Sequence, residues 1–334
     1  MQLALARIGA ETVEEALALW EGVNPSRMAS TAARWLGEAI TMIMTRREHS
    51  RNLAFAYYRL VRALRTGTTV ADPFEPSSRY VTLEVLRREF AELAGVEGDL
   101  EYDDDVDELG DEPGPVDEVV VELADSADSG GSAGDDPDQV LVEEIEGLRR
   151  EEERLEREAE REAEIVLRAL GPDNLESKLD DEIAELKARE ADALRDEAHR
   201  QAGMRQAAAA ERLVLNGTRD HLDTAADKDP KAIGYVRLSR TGTPCGWCAM
   251  LIARGPVYKS GRSAEYSEGT AYHDNDKCYS MPVFSRDEYN SSPLFHLNRK
   301  YAEEWPRVTK GLGGKDALSE WRRHIRAQKA KQAA

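Results

Sequence analysis

The three cysteines of this 334-residue chain stand in one short stretch, as Cys245-Gly-Trp-Cys248 and then His273-Asp-Asn-Asp-Lys-Cys278. A Cys-x2-Cys turn points two thiolates the same way, and a His/Cys pair beyond it completes the four ligands that zinc takes as a tetrahedron. Cys245, Cys248, His273 and Cys278 supply that set across a 24-residue loop. Such a closed set leaves no open position for water, so the expected role of the zinc is structural. Asp276 is a substitute for either ligand of the second pair, and an oxygen donor there would make the site weaker or more open. Trp247, inside the turn, is expected to pack over the metal or into the core behind it.

Other chemistries fit the same residue types. In one alternative a small core dispenses with metal and simply packs its cysteines and histidine, leaving a vestigial site. A redox pair at Cys245 and Cys248 needs a helix N-terminus after a strand, in a thioredoxin-like setting that the local sequence does not display. A cysteine nucleophile with His273 as its base is a further alternative. Among the six histidines, His49, His199, His221, His273, His296 and His324, only His221 and His273 have plausible context for a hydrolase, and no Gly-x-Ser-x-Gly elbow accompanies them. His221 follows Arg219-Asp220 at an expected helix end, where capping is the natural job.

The elements that would carry these residues are mainly helical. Aromatics make up 6% of the chain and charged residues 33%, a composition of long solvated helices and not of a large sandwich or doubly wound sheet. Residues 1–94 read as a helical domain, with helices over Thr12–Trp20, Ala29–Leu64 and Val81–Leu93 and a stop at Arg65-Thr-Gly67. Residues 95–138 read as an acidic disordered linker, in which only Val116–Leu123 alternates like a transient strand. Residues 139–216 read as a long helical hairpin or coiled-coil stalk, broken at Gly171-Pro172 and ending at Asn216-Gly217, whose Glu/Arg run is its wet face. Residues 217–286 form a small α+β Cys/His module, with strands expected at Gly234–Arg240, Gly255–Tyr258 and Cys278–Phe284, and residues 287–334 a basic helical tail. A module this small often needs a metal to hold its core.

The formal charge of −20 is a local property. Of 65 acidic residues, 23 lie between Glu89 and Leu148, where Lys and Arg are absent, leaving 42 against all 45 basic residues elsewhere. The folded parts are therefore close to neutral. No run approaches the roughly 18 apolar residues that span a bilayer, so no membrane partner is expected. The opening MQLALARIGAETVEEAL is too short an apolar run, and too soon acidic, for a signal peptide. The expected site of synthesis is a reducing cytosol, where a Cys-x2-Cys serves metal or redox chemistry more readily than a structural disulfide.

The segments GYVRLSRTGTPCGWCAMLIARGPVY and YHDNDKCYSMPVF resemble the C-terminal domain of phage Mu F-like (SPP1 gene 7-like) minor head proteins of tailed actinobacterial phages. The resemblance is carried by Cys245, Cys248, Met250, Leu251, Gly255, Tyr258, His273, Asp274, Cys278, Pro282 and Phe284, with Asp276 standing where the family has another cysteine. Weaker likeness lies in Tyr57–Leu64 with Thr66-Gly67, and in Thr309–Gly311 with Gly314–Leu318. It implies a portal-associated minor component inside the capsid, made in the bacterial cytoplasm and acting in head morphogenesis without enzymatic turnover. The implied partners are the portal protein, the major capsid or scaffold proteins, and packaged DNA through the basic tail. The alternatives are a capsid maturation protease, which would need a nucleophile and base that meet in space, and a DNA-binding or scaffolding protein of the head.

Overall fold

The computed structural model describes residues 1–70, 80–96, 120–123, 137–183, 188–256 and 278–333. The described chain is mainly helical, and it divides into two compact units, Asn52–Glu151 with Met1, and Gln2–Arg51 with Glu152–Ala334. None of its helices is long and apolar enough to cross a membrane, among the described residues.

The first unit is built on the later part of helix α2 (Met28–Thr66), which ends where Gly67 takes φ +73. Helix α3 (Leu83–Ala94) starts under the Thr82 hydroxyl, which accepts the Val85 N–H, and stops at Gly95 in the left-handed region. Leu86 is fully buried against Leu60 and Ala63. Arg59 reaches Glu89 at 2.8 Å. Strands β1 (Thr68–Thr69), β2 (Tyr80–Thr82) and β3 (Val120–Leu123) form a small sheet in the order β1-β3-β2, with β3 parallel to β1 and antiparallel to β2. Strand β3 lies inside the acidic segment at the run whose alternation suggested a strand; most of 95–138 otherwise lies outside the described residues.

The second unit begins with α1 (Gln2–Trp20), which packs along α6 (Ala188–Asp227). Two aromatic rings anchor this packing. Trp20 meets Trp35 edge-on at 4.8 Å, stacks on His199 at 5.2 Å, and donates its Nε1–H to the His199 carbonyl at 2.9 Å. Glycine makes room for them: a Cβ on Gly203 would lie 2.5 Å from Trp20, and one on Gly171 would lie 3.0 Å from both rings. Gly171 also separates α4 (Pro137–Leu170) from α5 (Pro172–Ile183), the break expected at Gly171-Pro172.

The two units bring together elements that lie apart in the sequence. Helix α6 and the part of α4 from Glu152 onward fall in one unit with α1 and the first part of α2. Helix α6 also runs through Asn216-Gly217 to Asp227. Gly217 is a point of close approach and not a stop: a Cβ there would lie 2.7 Å from the Arg47 carbonyl oxygen.

After α6 come β4 (Gly234–Ser239), α7 (Gly246–Ala253), β5 (Cys278–Val283), α8 (Arg286–Ser291), α9 (His296–Val308) and α10 (Gly314–Ala333). Strands β4 and β5 pair antiparallel from Gly234 opposite Val283 to Ser239 opposite Cys278, and every residue of both is buried. Of the strand expected at Gly255–Tyr258, Gly255 and Pro256 are not in a strand, Gly255 taking φ +63 after α7, and the other two residues lie outside the described residues. Helices α9 and α10 pack into this core with α7. Trp321 is fully buried, edge-on to Tyr301 and Trp305, over Met250 and Ile252 of α7. Asn298 ties the layers together, donating to the carbonyls of Arg237 and Ile252.

Candidate functional site

Strand β4 leads through a short loop to the first turn of α7, and there the cysteines meet. Cys245 is the N-cap, with φ −65 and ψ 165, and its Sγ accepts the N–H of Cys248 at 3.3 Å. Cys248, the third residue of the helix, turns its own sulfur to within 3.2 Å of Cys245 Sγ. Cys278 opens β5, and the three side chains form one cluster in which Cys248 and Cys278 are buried and Cys245 is half-buried. No disulfide joins them. Arg237, whose guanidinium is buried in β4, donates to Cys278 Sγ at 3.7 Å. Gly246 lets α10 lie against the start of the motif, since a Cβ there would come 3.0 Å from the Arg322 backbone. Trp247 is partly buried against the Trp321 cluster, one of the two positions expected of it.

Three of the sequence-derived ligands, Cys245, Cys248 and Cys278, are thus gathered, while His273 and Asp276 lie outside the described residues. Among the described residues no group of three or more His, Cys, Asp or Glu side chains is placed so that it could hold a metal ion. Cysteine sulfur is nonetheless a donor type that zinc selects. Two thiolates each about 2.3 Å from one zinc stand about 3.8 Å apart, so the Cys245/Cys248 pair must open by about half an ångström to share a metal.

A second cluster of chemical groups lies between α2, α4 and α6. Arg47, 2% exposed, donates to Glu156 at 3.0 Å, to Asp220 at 2.6 Å and to the Leu213 carbonyl at 3.0 Å. Arg51 faces Glu152 at 3.9 Å and Glu156 at 3.7 Å. His221 Nδ1 lies 2.5 Å from Glu152 Oε1, and both side chains are buried. Burial alone would raise the Glu152 pKa, but the hydrogen bond from His221 and the charges of His221, Arg51 and Arg47 outweigh it and hold it below the ordinary value. The hydroxyls of Ser50 and Thr218, on the same helices, bond each other at 2.6 Å.

A histidine held by a carboxylate is half of a hydrolase triad, yet here the pair sits inside a helical core and joins α4 to α6. His221 is also not at a helix end, because α6 continues for six residues beyond it. The role of Glu152 was legible in one respect. Ile145, Leu148, Glu152, Leu155 and Ala159 follow a 3-4-3-4 spacing, which puts a glutamate in the apolar seam and off the wet face.

Residues 143–305 match the model of a family described as VG15 protein, which is phage-associated. The match runs from α4 into α9 and takes in all three cysteines. It supports a phage protein of the virion-associated kind. No curated protein and no solved structure matches the chain.

Proposed function

We propose that this chain is a minor head protein of a tailed phage, of the Mu F-like kind, held at the portal inside the capsid and acting in head morphogenesis without catalysing a reaction. The observation that carries the reading is the overlap of two signals on one segment. The stretch matching a phage-associated family includes the module that resembles minor head proteins, and the described residues of that resemblance serve its packing. Cys248, Met250, Leu251, Cys278 and Phe284 are core residues, and Gly255 takes φ +63 against the Tyr289 hydroxyl. These are framework jobs, as an assembly protein requires.

In this reading a structural zinc is held by Cys245, Cys248 and Cys278 with His273, or Asp276 in its place. Its partners are the portal and the major capsid or scaffold proteins. The exposed Arg322, Arg323 and Arg326 of α10 offer a contact for packaged DNA, since phosphate neutralisation needs only clustered cations. The setting is the virion interior, and the host cytoplasm during assembly. Chemical cross-linking of isolated proheads followed by mass spectrometry tests the reading. Cross-links from this chain to the portal are expected. Its absence from proheads, or cross-links to tail proteins alone, would overturn it.

A further inference from the structure

We propose that Cys245 and Cys248 form a reversible dithiol/disulfide couple that exchanges with low-molecular-weight thiols and disulfides. The inference is independent of any role in the phage head. Its support is the arrangement of the two sulfurs at the start of an eight-residue helix that follows a strand. Local sequence did not display that setting, because it depends on where β4 ends and α7 begins.

Three features assign the roles. Both sulfurs already lie 3.2 Å apart, so a bond of about 2.05 Å needs them to close by little more than 1 Å, within reach of side-chain rotation. The Cys245 sulfur also receives the Cys248 N–H, a first-turn donor that would otherwise lack an intrahelical partner. Their exposure differs as the two steps of exchange require: Cys245 is half-buried and reachable, while Cys248 is fully buried behind it. Cys245 is therefore the attacking sulfur and Cys248 the resolving one. Cys278 is buried beneath Arg237 and stays outside the couple.

The exchange balances as follows. The Cys245 thiolate attacks one sulfur of a small disulfide, forming a mixed disulfide and releasing the first small thiolate. The Cys248 thiolate then attacks the Cys245 sulfur, closing the intramolecular bond and releasing the second. The two protons lost by the protein thiols end on the two released thiolates, and the two electrons reduce the small disulfide. Reversal needs only excess small thiol. The disulfide form withdraws two of the three clustered sulfurs from any metal, so metal binding and oxidation exclude each other at this pair.

The test uses the intact chain, equilibrated with reduced and oxidised glutathione over a range of ratios in the presence of a chelator. Samples are acid-quenched, labelled with a maleimide under denaturing conditions and mapped by peptide mass spectrometry. Labels on Cys245 and Cys248 should disappear together, return with excess reduced glutathione, and leave Cys278 labelled throughout. Cys248→Ser should trap glutathione on Cys245, whereas Cys245→Ser should trap none on Cys248. Three labelled cysteines at every ratio, or a disulfide that includes Cys278, would overturn the proposal. The wild-type peptides decide the matter even where a serine variant folds poorly.

Discussion

Replacing Arg47 with methionine keeps most of the side-chain length and removes only the charged fork. The guanidinium is 2% exposed and is shared between two carboxylates on different helices and a backbone carbonyl. Removing one partner of a buried ion pair costs about 3–5 kcal/mol, because the charges left behind lose both their partner and their water. Here the orphaned groups are not equally trapped. Asp220 keeps a third of its side-chain surface exposed and Glu156 about a fifth, so both can recover some hydration. The cost should therefore fall near the lower end, about 3 kcal/mol. For a unit of this size that corresponds to a fall of roughly 6–12 °C in melting temperature. Calorimetry of the full chain reads it, with Arg34→Met as the control, since the Arg34–Glu38 pair lies on the surface and should give no measurable shift. A loss below about 1 kcal/mol for Arg47→Met would refute the claim that this cluster holds α2, α4 and α6 together.

Further outcomes follow from the same geometry. The Glu152 pKa is held low in the folded chain, so the unfolded chain binds its proton first as pH falls. Glu152 thus contributes stability above its unfolded value and loses it as pH drops through the folded one. Melting temperature should decline on acidification below about pH 4.5, and Glu152→Gln should flatten that decline while lowering stability near neutrality. Gly203→Ala should destabilise the chain although alanine is the better helix former by about 1 kcal/mol, because the new methyl would lie 2.5 Å from Trp20; denaturant unfolding gives the sign. One zinc per chain is expected by metal analysis of the reduced protein, with Cys278→Ser losing both the metal and several degrees of thermal stability. An unchanged melting point in that variant would remove the structural-metal reading.

Local pattern made much of the fold legible. The Gly67 stop, the Gly171-Pro172 break and the two long strands around the cysteines all follow from backbone preferences that neighbouring residues reveal. What escaped were features set by distant partners. Gly217 looks like a helix terminator until Arg47, 170 residues earlier in the chain, is seen lying against it. His221 looks like a cap until Glu152 is found across the core. The Glu/Arg run of α4 looks uniformly wet, although its heptad spacing places Glu152 in the seam. That the three cysteines lie together was legible in their spacing. Their start-of-helix geometry was not, because only the β4–α7 turn brings the Cys245 sulfur to the Cys248 amide.

The most direct test of a role in the phage head is quantitative mass spectrometry of purified proheads, mature virions and isolated tails from the phage that encodes this chain. The chain should be present in proheads and virions at a few copies per portal, far fewer than the major capsid protein, and absent from isolated tails. Its presence only in the cell lysate, or in tails alone, would contradict a head function and leave the phage-family match to be explained in another way.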